Sequence, residues 1–323
     1  MATALWTRRL VLAAACTAAL AAQAAYPEKP IKIIVPGVAG GSPDVLTRLI
    51  GNELSKKLGQ PVVIDNKGGA GGNIGIQALV SSAPDGYTLA YGNNATLTTN
   101  EFLFSKLPYN PQTLVPIGGI GTTSSFLLVN NEVSVKTVAE LVAYGKKAER
   151  PLQYGSGGIG TTSHLGAELF KTKVGLQSAE HIPYKGSPQA MSDLIAGSLQ
   201  FYFENIVTAA PQVQAGKVRA LAVTSKERSP QFPDLPTMEE AGVQGFVMNA
   251  WGGLIAPPGT PREVVMKLNT ALNDVLKTPV VIAQLDKMAF KPLGGTPEAF
   301  KALADSERAQ WGAVVKASGA KVD

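Results

Sequence analysis

Ile31-Lys32-Ile33-Ile34-Val35-Pro36-Gly37-Val38-Ala39-Gly40-Gly41-Ser42-Pro43-Asp44 combines an apolar run, a glycine-rich turn and a helix-start signal in 14 residues. Its apolar run, broken only by Lys32, reads as a short buried strand, and the glycines after it allow backbone angles that a Cβ would forbid. Ser42 is then an N-cap, Pro43 a first-turn residue whose missing N–H costs nothing, and Asp44 suits the positive end of a helix dipole. Gly59 ends that helix after Leu58. A strand leading through bare backbone N–H groups into a helix N-terminus is a site for a small anion.

Two further stretches repeat the design. Residues 61–66 read as a strand, followed by Lys67-Gly68-Gly69-Ala70-Gly71-Gly72-Asn73, with Asn73 capping a helix over 74–81. Residues 152–155 lead through Ser156-Gly157-Gly158-Ile159-Gly160-Thr161-Thr162-Ser163-His164 into a helix ending at Gly175. Between them, 88–93 is a strand ending at Asn93. Strands alternating with helices predict an α/β fold with a parallel sheet and ligand loops at the strands' carboxyl ends.

Working outward, strands are expected over 114–120, 126–130, 179–184, 199–205 and 219–225, with a capping box at Thr137 to Glu140. Ser187 and Pro188 open a helix as Ser42 and Pro43 do. Beyond Ser225 the chain turns to Pro-rich loops and amphipathic helices over 261–277, 279–288 and 297–317, with a second capping box at Thr237 to Glu240 and a short strand over 251–256.

The chain has 323 residues, 45% of them hydrophobic, enough for two domains with real cores. Arg8 and Arg9, an apolar run over 10–22 and the small-x-small Ala22-Gln23-Ala24 read as a secretory signal over 1–24. The apolar run is shorter than the ~20 residues that span a bilayer. A lipoprotein reading would use Cys16, but Ala13 stands where such signals usually carry Leu. Removing the signal removes the single cysteine, and with it any disulfide or thiolate chemistry. It also lowers the formal charge from +5 to +3, scattered without a basic run, so nucleic acid is not an expected partner.

Enzyme motifs are sparse. His164 and His181 have no acid at zinc-ligand spacing, and there is neither a Walker loop nor a G-x-S-x-G elbow. Gly155 to Gly160 matches G-x-G-x-x-G, but Glu180 stands at the start of the next strand rather than its end, which argues against a dinucleotide site. What remains is a set of neutral anion cradles with the hydroxyls of Ser42, Ser156, Thr161, Thr162 and Ser163. Each charge-assisted hydrogen bond contributes ~1.5–3 kcal/mol, so a few supply the ~8 kcal/mol of micromolar binding without any Arg or Lys in the site. The expected ligand is a small anion such as a carboxylate.

Several motifs in order resemble the periplasmic receptors of tripartite tricarboxylate transporters, the Bug family. They are Pro30 to Pro36 with Gly40-Gly41-Ser42-Pro43-Asp44; Asp65-Asn66-Lys67-Gly68-Gly69-Ala70-Gly71-Gly72-Asn73; Ala83-Pro84-Asp85-Gly86-Tyr87; Pro183-Tyr184-Lys185-Gly186; Gly216-Lys217-Val218-Arg219; and Pro233-Asp234-Leu235-Pro236-Thr237. The resemblance implies a two-domain Venus-flytrap fold of type II-like form, with residues 25–124 plus 225–323 in one domain and 125–224 in the other. It implies a di- or tricarboxylate, acidic amino acid or aromatic acid held between the first two glycine loops and the third loop with the Tyr184-Lys185-Gly186 turn. It also implies delivery of the ligand to membrane permease subunits by a monomeric receptor without cofactor.

Glu204 stands where relatives often have Asp, and Gly37 where they often have Phe; the first reads either as an internally tied carboxylate or as a contact with a ligand amino or hydroxyl group, the second as room for a bulkier acid. Tyr154, Tyr202, Phe203 and Trp251 are candidate lining aromatics. A secreted enzyme using Glu204 or His164 as acid-base group, or a ligand sensor, are the alternatives.

Overall fold

The computed structural model describes residues 26–184 and 186–322. The expected signal over 1–24, Cys16 and Lys185 lie outside the described residues. One curled sheet of ten strands runs through the molecule in the order 62–66, 31–35, 88–93, 249–256, 115–129, 201–205, 153–156 and 180–183, with 219–223 and 291–294 also pairing 115–129.

The first lobe is built from β1 (Ile31–Val35), α1 (Ser42–Leu58), β2 (Val62–Asn66), α2 (Asn73–Val80) and β3 (Thr88–Asn93). β1 lies between β2 and β3, both parallel to it, as alternating strands and helices require. A π-helical turn (Ala95–Thr99) and a short helix α3 (Asn100–Leu103) follow, neither signalled by the sequence. β4 (Val115–Val129) is one strand of 15 residues where two shorter ones were expected. The polar stretch Gly121-Thr122-Thr123-Ser124-Ser125 looks like a break because the strand changes partners there: Thr122 to Ser124 pair with β9 and Ser125 to Val129 with β7.

The second lobe carries α4 (Val138–Lys147), β5 (Gln153–Ser156), α5 (Thr162–Val174), β6 (Glu180–Pro183), α6 (Ser187–Ile195), β7 (Phe201–Asn205), α7 (Ile206–Gln214) and β8 (Arg219–Val223). The chain returns through β9 (Asn249–Ala256), antiparallel to both β3 and β4. It ends in α8 (Arg262–Leu276), α9 (Pro279–Lys287), β10 (Lys291–Gly294) and α10 (Pro297–Ser318).

Three local readings need correction. The N-cap of α1 is Gly41, and Ser42 is already helical; the same holds for Gly186 before Ser187. Asn73 does not cap α2 but begins it, its side chain turned inward. At the second capping box Thr237 and Glu240 bond reciprocally, at 2.9 and 3.1 Å, yet no helix follows: Gly242 at φ 94° turns the chain away.

The core divides on the two faces of each half-sheet. Ile33, Leu46, Leu254 and Leu272 belong to one first-lobe cluster, and Ile34, Ile76, Trp251 and Phe300 to the other. In the second lobe Phe126, Leu194 and Tyr202 pack beneath α6 and α7, while Tyr154, Phe170 and Phe203 pack beneath α5. That last cluster also takes in Met238, Phe246 and Met248 from the return segment, and Leu103, Trp311 and Val315 from either end of the first lobe's chain.

Candidate ligand cleft

The carboxyl ends of β1, β3 and β5 meet across a cleft of about 260 Å³. Ser42 and Pro43 reach it from the start of α1, Gly160, Thr161 and Thr162 from the start of α5, and Asn93 from the end of β3. Two helix N-termini from opposite lobes thus converge on one space. The first N–H groups of a helix have no partner within it, so these ends offer donors and a positive dipole.

The loops behind those ends are more self-sufficient than bare cradles. In the first loop Gly37 N–H donates to Val35 O at 2.8 Å, and Gly40, at φ 79°, donates to Asp44 Oδ2 at 2.8 Å. Asp44 is buried and also takes Arg48, whose Nε lies 3.0 Å from Oδ2 and Nη2 2.9 Å from Oδ1. The bond from Arg48, opposed by burial and assisted by the Gly40 N–H, holds the Asp44 carboxyl down at about 2. Arg48 then reaches Asn66 Oδ1 at 2.9 Å, tying the loop to the end of β2. Asp44 therefore fastens the loop.

In the second loop Gly71 and Gly72 take left-handed angles of φ 62° and 94°. Asn73 Oδ1 accepts from Asn100 Nδ2 at 2.7 Å and lies 3.1 Å from the Tyr109 hydroxyl. Gly71, Gly72 and Asn73 form this knot beside the cleft and are not among its lining residues.

In the third loop Gly157 N–H donates to Ser163 Oγ and Gly158 N–H to Ser156 Oγ, each at 3.1 Å. Gly160 N–H donates to His164 Nδ1 at 3.1 Å, and Thr161 Oγ1 caps α5 by accepting from His164 N–H at 3.4 Å. His164 is buried, stacked on His181 with ring centroids 4.0 Å apart, and His181 Nε2 lies 2.6 Å from Ser156 Oγ. Burial pushes His164 down to about 4 and His181 to about 3, so both are neutral at pH 7. Their Nδ1 and Nε2 atoms support the loop from behind.

Tyr184 donates to Asp193 Oδ2 at 2.7 Å. Glu204 is buried and accepts from the Thr208 hydroxyl, and burial raises its carboxyl above the ordinary range. Tyr154, Tyr202 and Phe203 are wholly buried core residues, so of the four candidate aromatics only Trp251 lines the cleft.

The sequence reading missed Asn94, Leu165, Asn205, Phe290 and Trp311 in the lining. Trp311 comes from the last helix, 60 residues beyond Trp251, and no local pattern marks it. Asn94 Nδ2 lies 3.0 Å from Asn249 O and 3.2 Å from Glu307 Oε2, and Asn94 Oδ1 accepts from Trp251 N–H at 2.9 Å. Among the described lining residues there is no charged side chain. A second cavity of about 530 Å³ lies along the crossing strands at Thr122 to Ser124 and Ser225. Unlike the smaller cleft it is lined by charged residues, of which Lys291 pairs with Glu227 at 3.1 Å and Arg228 with Glu240, outside the cavity, at 2.7 Å. The starts of both α1 and α5 open onto the smaller cleft and neither lines the larger cavity.

Two lobes joined by crossing strands, with donors facing each other over a cleft, define a solute-binding protein. A family model described as "Tripartite tricarboxylate transporter family receptor" matches residues 46–320, and the chain belongs to that family of periplasmic receptors rather than to the enzymes. Protein BugT of Bordetella pertussis is 35% identical over 315 residues, 97% of this chain and 96% of its own. A solved R. palustris protein with adipate superposes with a TM-score of 0.82 at 35% identity, over 92% of this chain and all of that one. MatC from Rhodopseudomonas palustris with bound malate gives 0.77 at 32% identity, over 90% of this chain and all of MatC.

Proposed function

We propose that this receptor captures a small organic carboxylate in the 260 Å³ cleft and delivers it to the membrane permease subunits of a tripartite tricarboxylate transporter. The observation that carries the reading is the convergence of the α1 and α5 N-termini, with Ser42, Thr161 and Thr162, on a cleft whose described lining holds no charged side chain. An anion there is met by N–H groups, hydroxyls and dipoles. The adipate and malate bound by the two R. palustris relatives support a carboxylate. The cleft lies below the ~300–1,000 Å³ of sites for drug-sized ligands, which suits a metabolite.

The protein works as a monomer in the periplasm after cleavage of residues 1–24. Its first domain is residues 25–124 with the C-terminal part, and its second is 125–224 extended to 248. The extension beyond 224 is supported by Met238, Phe246 and Met248 packing with Phe203. Gly41, Gly157, Ser156, Tyr184 and Glu204 shape the site around the residues that line it.

Calorimetry with di- and tricarboxylates tests the function. One ligand bound per chain without turnover is expected; product formation, or no binding by any carboxylate, would overturn it.

A further inference from the structure

The amide oxygens of the cleft already accept from the protein's own N–H groups, and its other side-chain acceptors are neutral hydroxyls. Asn93 Oδ1 takes Thr96 N–H at 3.1 Å, Asn94 Oδ1 takes Trp251 N–H at 2.9 Å, and Asn205 Oδ1 takes Val207 N–H at 3.0 Å. The three carboxyls that border the cleft are equally engaged. Asp44 holds Gly40 and Arg48, Glu204 holds Thr208, and Glu307 accepts from Trp311 Nε1 at 3.0 Å. None of the three lines the cleft. Between the two helix ends the wall is furnished by Leu165, Trp251, Phe290 and Trp311.

Such a space treats the parts of a ligand differently. A carboxylate finds donors at either helix end. An ammonium group would leave water for a wall without an anionic partner, beside N–H groups that repel it, and an unpaired charge is costly to desolvate. A methylene chain or a ring loses nothing and covers apolar surface.

Resting on the carboxylate reading above, we infer that the receptor selects acids whose body is apolar and carries no ammonium, and that it rejects acidic amino acids by offering their amine no carboxylate. Specificity is then set by what the wall withholds. Glu204, by its place in the chain the natural partner for an amine, serves Thr208 instead.

The test uses matched pairs that differ only at one position: succinate with aspartate, glutarate with glutamate, adipate with 2-aminoadipate, and benzoate as a ring acid. Trp251 and Trp311 both line the cleft, so intrinsic fluorescence of the mature protein reports occupancy. In the pair that binds best, the unsubstituted acid is expected to bind at least about 10-fold more tightly than its amino partner. A smaller gap, or the reverse order, overturns the inference while leaving a carboxylate receptor. Binding of none of the seven would overturn the inference, since acids with an apolar body would then be refused, while the carboxylate reading stands or falls on the calorimetry above. Asn205→Asp places a carboxylate in the cleft and still caps α7. It should narrow the gap at least about 10-fold, and an unchanged gap would contradict the proposed cause.

Discussion

Gly160 joins the two halves of the molecule at a single residue. It holds φ 78°, and a Cβ there would sit 2.4 Å from Leu103 Cδ1, at the end of the first lobe's short helix. Gly160→Ala adds a left-handed strain of ~1–2 kcal/mol and drives Leu103 out of the cluster it shares with Leu165. It should lower the urea midpoint and weaken ligand binding together; binding unchanged at reduced stability would detach this glycine from the site.

Next to it, the His164–His181 stack gives a pH dependence. Both rings have folded values below the 6.5 of the free side chain, so between 6.5 and about 4 the unfolded chain binds more protons and stability falls as pH falls. Glu168 and Lys171 face the same pocket as an ion pair 2.9 Å apart, the first opposing and the second reinforcing the shift of His164. Denaturant unfolding from pH 7 to 5 should show the parent losing more stability than His181→Gln, and equal slopes would remove the histidines from the explanation.

At the scale of elements, α10 crosses from one lobe to the other. Phe300 and Ala304 pack in a first-lobe cluster, whereas Trp311, Val314 and Val315 pack with Tyr154 and Phe170 of the second. Trp311→Ala should cost about 3–5 kcal/mol of stability by opening the second-lobe core. It should also disturb the cleft wall, so a loss of fluorescence response to ligand is expected alongside. A loss below about 1 kcal/mol would mean that the helix end is only loosely docked.

The same element shows how far the sequence could be read. Its bounds, Pro297–Ser318, lie within a residue of the span that its apolar period and first-turn proline predict. The strand–loop–helix units around Val35, Asn66 and Ser156 were legible for the same reason, since glycines and caps are local signals. What no local signal carries is the partner of each group. The Gly157, Gly158 and Gly160 N–H groups looked free for a ligand, and their acceptors on Ser163, Ser156 and His164 emerge only when the loop folds back. Trp311 and Phe290 reach the cleft through tertiary packing alone, and Thr122 to Ser125 looked like a gap because a strand that changes partners keeps no single alternation.

For the whole molecule, the sheet makes the two lobes continuous through β4, while β9 returns the chain beside it, with Ser124 paired to Asn249. Helix N-termini face the cleft from both sides of this crossing, so under the proposed function a bound acid would touch both lobes at once and favour their closure. Under the proposed function the acid bridges the starts of α1 and α5. A crystal structure of the protein saturated with the tightest carboxylate found by calorimetry would show this: carboxylate oxygens are expected within about 3 Å of donors in both the Ser42 turn and the Thr161–Thr162 turn. A ligand seated instead in the 530 Å³ cavity by Ser225 and Lys291, with the smaller cleft filled by water, would contradict it.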